Sequence, residues 1–245
     1  MEIYLDFENT LLNEERKPSP LSIKILNQLT QNHEVTVLTT SSIQEVATLF
    51  PIPSLRIVST LENKLYEKNV YFYTPLKNID WKALLAIPHI YTLYGIEQDT
   101  AYILKYQERM KYFYPAHRIQ LCTSLPSTIA AFVLAIYHEG IEEVKTILKD
   151  FKLEILARDH KKTLFLVSLD ESSKEAWLLR LKKSPAIGIG DSLSDYSFIK
   201  HCEVQVSMKN GEQELKDKCP YQTSKTNQED GALDFIVTYL KHQQA

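Results

Sequence analysis

The sequence predicts an α/β protein in which a doubly wound parallel sheet is interrupted by an α+β insert. Three observations carry this reading. Short apolar segments at 2–6, 34–39 and 55–59 alternate with helix-periodic ones, from Leu21 to Leu29 and from Ile43 to Phe50. The alternation breaks at about residue 76 and resumes after about 167. The chain is 44% hydrophobic and 24% charged, a balance that builds a core rather than a disordered or fibrous chain.

The elements follow in order. Residues 2–6 form a strand that ends at Asp6. Past Pro18 and Pro20, Leu21, Ile25, Leu26 and Leu29 share one helical face. Residues 34–39 read as a second strand, and Ser41 or Ser42 caps the helix 43–50. A third strand is expected at 55–59 and an extended hairpin at 64–75. Within the insert, the pattern predicts a helix over 79–97 interrupted near Pro88, and a strand at 119–123. One or two helices are expected over 127–151, then a hairpin over 153–168 turning near Asp159 and His160. The parallel pattern resumes with a helix at 173–183, strand 185–189, helix 193–201 and strand 203–207. A C-terminal helix over 231–242 completes it. The core is therefore expected at 1–75 and 168–245, with the insert at 76–167.

Several function classes are excluded or disfavoured. A net charge of −3 without a basic tail gives no electrostatic reason to expect nucleic acid. No apolar run approaches the roughly 20 residues that span a bilayer, and Met1 to Asp6 has no signal-peptide pattern. Cys122, Cys202 and Cys219 are odd in number and widely spaced, which fits neither a disulfide framework nor a zinc site. The expectation is a soluble cytoplasmic protein, monomeric or a weak homodimer, that acts on a small molecule. Only six of 245 residues are glycine, against about 7% on average, so a phosphate-binding loop must be argued.

Ligands of an open parallel sheet sit beyond the carboxyl ends of its strands. Four such positions carry chemically compatible residues. Asp6-Phe7-Glu8-Asn9-Thr10 follows the first strand, and Thr39-Thr40-Ser41 closes the second. Lys174 opens the helix after the insert, and Gly190-Asp191-Ser192-Leu193-Ser194-Asp195 ends the strand at 185–189.

In this order the four blocks resemble the motifs of the haloacid dehalogenase-like (HAD) phosphatases. Asp6 to Leu12 resembles the Asp-x-Asp-x-Thr opening. Thr40 is similar to the second motif, Lys174 to the third, and Gly190 to Asp195 to the fourth. Val206 to Gly211, which includes Asn210, and Asn227 to Gly231 resemble later segments of the family's Cof-type branch. The resemblance implies a Rossmann-like core with an inserted type-2 α+β cap. It also implies Mg²⁺-dependent hydrolysis of a small phosphate monoester such as a sugar phosphate. Relatives of this kind include sucrose-phosphate and mannosyl-3-phosphoglycerate phosphatases.

The implied chemistry matches what a phosphate monoester demands: an in-line nucleophile, neutralised phosphoryl oxygens and a proton for the leaving alkoxide. Asp6 is the expected nucleophile, forming an aspartyl-phosphate, and Glu8 the general acid and base. Thr40, Ser41, Lys174, Ser194 and Asn210 are the expected phosphate- or substrate-binding residues. Mg²⁺ would be held by Asp6, Asp191, Asp195 and, as the resemblance implies, the backbone carbonyl of Glu8. Five positions depart from the family pattern: Glu8 replaces aspartate, Asn9 and Ser41 replace glycine, Ser42 replaces arginine, and Ser194 replaces asparagine. On length alone, Glu8→Asp is expected to keep or raise turnover. A phosphomutase or phosphotransferase on the same core, or a regulatory phosphate-binding protein, are the alternatives.

Nine of the fourteen tyrosines fall between Tyr66 and Tyr114, interleaved with Lys105, Arg109, Lys111 and Arg118. Packing of a small cap by these rings is the simpler reading, and stacking on a sugar the alternative.

Overall fold

The computed structural model describes residues 1–68, 70–97, 100–105, 118–169 and 173–243. The chain opens with β1 (Glu2–Leu5), α1 (Pro20–Asn32), β2 (Glu34–Thr39), α2 (Ile43–Leu49), β3 (Arg56–Ser59), β4 (Lys64–Glu67) and β5 (Val70–Tyr73). Next come α3 (Trp81–Ala86), β6 (Ile90–Glu97), β7 (Thr100–Lys105), β8 (Arg118–Leu121), β9 (Ala131–Tyr137), α4 (Ile141–Ile147), β10 (Lys152–Arg158) and β11 (Lys162–Ser168). The last part carries α5 (Lys174–Leu181), β12 (Ala186–Gly190), α6 (Tyr196–Ile199), β13 (Val204–Ser207), α7 (Gln213–Lys216), β14 (Tyr221–Gln222) and α8 (Gly231–His242). Two compact units result. One is Met1–Val58, Leu65–Tyr71 and Ser173–Ala245; the other is Ser59–Lys64 and Phe72–Ser172.

The first unit is built on a sheet in the order β14-β13-β12-β1-β2-β3-β4-β5. β1 pairs in parallel with β2 and β12, and β13 in parallel with β12 and β14. Both faces of β1 are buried. Ile3 and Leu5 join one apolar cluster with Val37 and Ile187, while Tyr4 joins another with Leu38, Trp177 and Phe198. A strand buried on both sides reads as a continuous apolar run, which is why β1 and β12 stand out in the sequence. The order reverses at β1, the switch point where open sheets bind ligands. Hydroxyl caps start the covering helices: Ser19 Oγ accepts from Ser22 N, Ser42 Oγ from Glu45 N and Ser173 Oγ from Ala176 N. Of the two expected caps for α2, Ser42 is the one used.

The second unit carries a sheet in the order β10-β11-β9-β6-β7-β8. Its pairings are antiparallel except β7 with β8. Helices α3 and α4 bury Leu84, Val144 and Leu148 with Leu93, Leu134 and Phe165 of the sheet. Two expected helices are corrected here. Helix ends at Ala86, and beyond Pro88 the chain is strand β6. Within 127–151 only Ile141–Ile147 is α-helical, and Ala131–Tyr137 is strand β9. β9 buries Phe132, Leu134 and Ile136 on one face and Ala131, Val133 and Ala135 on the other, so it shows no alternation to separate strand from helix. Strand β7, inside the second sheet, and the edge strand β14 of the first are additions to the sequence-based expectation.

Among the insert's aromatic and basic residues, Tyr94 is buried, Tyr91 and Tyr137 meet at a tilt of 52° beneath Lys162, and Lys105 donates to the Ile87 carbonyl. Arg109, Lys111 and His117 lie outside the described residues. The three cysteines are free. Among the described residues no helix is long and apolar enough to cross a membrane.

Candidate active site

The site forms at the carboxyl ends of β1, β2 and β12. Parallel register sets Leu5 beside Ile189, and Asp6 N donates to the Ile189 carbonyl at 2.9 Å. Asp6 therefore leaves β1 next to Gly190, one residue from Asp191. Two glycines make room for the acids. A Cβ on Gly190 would lie 2.5 Å from Asp195 Cβ, and one on Gly211 would lie 2.7 Å from the Asp191 carbonyl oxygen.

Lys174 joins the two ends of the chain. Its ammonium donates to Asp6 Oδ1 at 2.5 Å and to Asp195 Oδ1 at 2.7 Å, with all three side chains largely withdrawn from water. A lysine in the first turn of a helix opposes the helix dipole, and here the two carboxylates offset that cost. The second oxygen of Asp195 accepts from Asp191 N, Ser192 N and Ser192 Oγ, closing a capping box with Ser192. Burial lowers the Lys174 pKa, but Asp6 and Asp195 override it and hold the ammonium well above its ordinary range. Burial, and then the charge of Asp195, push Asp6 well above the usual carboxylate range, against the pull of Lys174. The same two causes push Asp191 up to about 6.

Carboxylate oxygens of Asp6, Asp191 and Asp195 lie within 4.8 Å of one another. Three hard oxygen donors this close together and withdrawn from water fit a divalent cation, which would relieve their mutual repulsion. Both Asp195 oxygens are already engaged by nitrogen and hydroxyl donors. Asp6 and Asp191 are thus the carboxylates best placed to ligate, with Asp195 organising the loop around them.

The remaining expected residues divide. The Ser41 hydroxyl donates to Glu8 Oε1 at 2.5 Å, and the Thr39 hydroxyl to Glu8 Oε2 at 3.3 Å. Thr40 is half-buried immediately after β2. Ser194 is exposed and its hydroxyl meets that of Ser192 at 2.7 Å. Asn210 donates to the Asn9 carbonyl at 2.8 Å and accepts from Asn227 N at 2.9 Å, so its amide ties two loops together. Asn9 itself has φ 53°, the left-handed conformation that asparagine tolerates better than most side chains.

Glu212 and Arg16 escaped the sequence reading, and Thr39 is named there only as the end of the second strand, with no role. Glu212 accepts from Leu193 N at 2.7 Å, and its own N–H donates to the Asp191 carbonyl at 2.7 Å. Thr39 orients both Glu8 and Ser41. Arg16 places a guanidinium 3.9 Å from Glu8 Oε1 while pairing with Glu45 at 2.9 Å. An arginine in a polar turn carries no sequence signal for such a contact.

The profile of the haloacid dehalogenase-like hydrolase family matches residues 3–236. No curated protein matches the sequence. Solved structures match over nearly the whole chain. A haloacid dehalogenase-like hydrolase from Bacteroides thetaiotaomicron shares 17% identity at a TM-score of 0.77, covering 97% of this chain and 98% of its own. A phosphatase of the same superfamily and organism shares 14% at 0.74, covering 97% and 94%. A subclass IIB sugar phosphatase shares 15% at 0.70, covering 97% and 98%. At these identities the likeness shows the fold alone.

Proposed function

Since the chain belongs to the haloacid dehalogenase-like hydrolase family, we propose that it is a Mg²⁺-dependent phosphatase that hydrolyses a small phosphate monoester through an aspartyl-phosphate on Asp6. The observation that carries this is the buried Lys174 ammonium bridging Asp6 and Asp195, with the Asp191 carboxylate beside them. A structural ion pair does not need a third carboxylate, and an isolated acid cluster does not need the lysine. Phosphoryl transfer uses both.

In the first displacement an Asp6 oxygen attacks phosphorus and the ester oxygen departs with a proton from Glu8. In the second, water attacks the aspartyl-phosphate, Glu8 takes the water's proton, and phosphate and free Asp6 result. Lys174 fixes Asp6 for attack and offers charge to the phosphoryl oxygens, while the Thr40 hydroxyl and neighbouring N–H groups bind the same oxygens. When bound, Mg²⁺ supplies neutralisation of phosphoryl charge from a position held by Asp6, Asp191 and the Glu8 carbonyl. Asp195 restrains Lys174 and the Asp191 loop from behind.

The inserted unit is proposed as a type-2 cap that sets specificity and excludes water during transfer. A sugar phosphate is the favoured substrate class, supported by the sugar phosphatase among the structural neighbours. Free cysteines accord with a reducing, cytoplasmic setting. The test is phosphate release from p-nitrophenyl phosphate and a panel of sugar phosphates, with Mg²⁺ or EDTA, for wild type and Asp6→Asn. Turnover in Mg²⁺ that EDTA and Asp6→Asn both abolish supports the reading, and wild-type turnover in Asp6→Asn overturns it. Release to water, rather than transfer to a second sugar, separates a phosphatase from a phosphomutase.

A further inference from the structure

Glu8 has two carboxyl oxygens, and the structure treats them differently. Oε1 accepts from the Ser41 hydroxyl at 2.5 Å, whereas Oε2 accepts from the Thr39 hydroxyl at a loose 3.3 Å. The Thr39 oxygen also accepts from Ser41 N at 2.8 Å, which turns its hydrogen towards Glu8. Ser41 is buried at the end of β2, so its hydroxyl is anchored on the sheet, while Glu8 remains 28% exposed on the open side. Arg16 approaches Oε1 from solvent at 3.9 Å but is held closer to Glu45.

We propose that Ser41 is the positioning residue of the leaving-group acid, its hydroxyl fixing Glu8 Oε1 so that Oε2 faces the departing oxygen. This rests on the reading of Glu8 as that acid. A short hydrogen bond to one oxygen fixes the plane of the whole carboxyl group, and the long bond to the other is easily exchanged for one to substrate. Oε2 is then the oxygen that carries the transferable proton. It gives that proton to the ester oxygen as the bond to phosphorus breaks, and it recovers one from the water that attacks the aspartyl-phosphate. Ser41 keeps its own hydrogen bond throughout and undergoes no covalent change. The length of glutamate is what this arrangement needs. An aspartate at position 8 would fall short of Ser41 by about one carbon–carbon bond, ~1.5 Å, and misplacement of this order costs on the order of 100-fold in rate. The sequence-based expectation for Glu8→Asp is therefore reversed, and the Ser41 hydroxyl is assigned to the acid rather than to phosphate.

The experiment compares Ser41→Ala, Ser41→Thr and Glu8→Gln with wild type on p-nitrophenyl phosphate and phenyl phosphate in saturating Mg²⁺. Phenolate is the poorer leaving group, so its departure depends more on the acid. Ser41→Ala should lower kcat/KM, which reports transfer to Asp6 and not the later hydrolysis common to both esters, by about 10- to 100-fold on phenyl phosphate. It should lower kcat/KM on p-nitrophenyl phosphate by no more than about 3-fold, with KM not raised. Ser41→Thr, which keeps a hydroxyl, should recover most of the loss. Glu8→Gln should show the same selectivity more strongly. An equal fall on both esters, or a raised KM, would make Ser41 a scaffold or a phosphate ligand and overturn the assignment. A selective Glu8→Gln alongside an indifferent Ser41→Ala would remove the positioning role and leave the acid standing. An unselective Glu8→Gln would remove both. Thermal melting of each variant separates misfolding from these outcomes.

Discussion

Replacing Lys174 by methionine keeps most of the side chain's volume and removes the ammonium that lies 2.5 Å from Asp6 Oδ1 and 2.7 Å from Asp195 Oδ1. The two carboxylates it bridges are only 5% and 2% exposed, so bulk water solvates them poorly. Breaking one side of such a buried pair costs roughly 3–5 kcal/mol, because a charge is left unpaired in a poorly solvating interior. At ~2–4 °C per kcal/mol for a chain of this size, the melting temperature should fall by on the order of 10 °C. The loss should depend on pH with a definite sign. Asp6 already stands above its ordinary value of 3.8 through burial and Asp195, and Lys174 opposes that rise. Without the lysine Asp6 climbs further. A carboxyl raised in the folded state contributes stability that is present below its unfolded value and lost as pH rises through the folded one. The deficit against wild type should therefore shrink between about pH 7.5 and about pH 5.5. Mg²⁺ should raise the variant's melting temperature more than that of wild type, since a second cation meets the same carboxylates. The assay is differential scanning fluorimetry at both pH values with and without Mg²⁺. A variant that melts within about 2 °C of wild type at the higher pH would refute the argument that this triad is a tightly coupled buried ion cluster.

Other perturbations follow from the same geometry. Gly211→Ala drives a methyl group against the Asp191 carbonyl, 2.7 Å from its ideal position. The Mg²⁺ concentration giving half-maximal kcat should then rise by about 10- to 100-fold, and an unchanged Mg²⁺ dependence would contradict the placement of Asp191. Asn210→Ala removes the bridge between the Asn9 carbonyl and Asn227 N. It should cost ~1 kcal/mol of stability in a urea titration, with inhibition by inorganic phosphate unchanged; weakened inhibition would make Asn210 a phosphate ligand, as the sequence-based expectation has it. Asp191, pushed up to about 6, must lose its proton to ligate a cation. The rise in melting temperature produced by Mg²⁺ should accordingly be small near pH 5 and large near pH 7.5, and a pH-independent rise would exclude Asp191 from the metal site.

The core was legible because its central strands are buried on both faces and end in charge. β1 runs apolar into Asp6, β12 runs apolar into Asp191, and a polar residue at the end of such a run has few reasons to be there. Lys174 was legible by its place at the start of the helix that follows the insert. The second unit was harder for the same physical reason: β9 is equally apolar, but it has no charged terminus or alternation to set it apart from a helix. Contacts between distant loops could not be read at all. Glu8 and Ser41 each looked like a separate departure from a family pattern, yet they touch, 33 residues apart in sequence. Glu212 likewise gains its role only through a fold that returns the chain to Asp191 and Leu193. The shortage of glycine has a similar resolution, since Asn9 supplies the left-handed residue after Glu8.

The claim on which the rest depends is that Asp6 becomes covalently phosphorylated. Wild type and Asp6→Asn, each mixed with a ³²P-labelled ester that the wild type hydrolyses and quenched in acid within one turnover, test it directly. Label should appear on the wild-type protein, be released by hydroxylamine as an acyl phosphate is, and be absent from Asp6→Asn. Steady turnover by a wild type that never carries label, or label that persists in Asp6→Asn, would contradict the account.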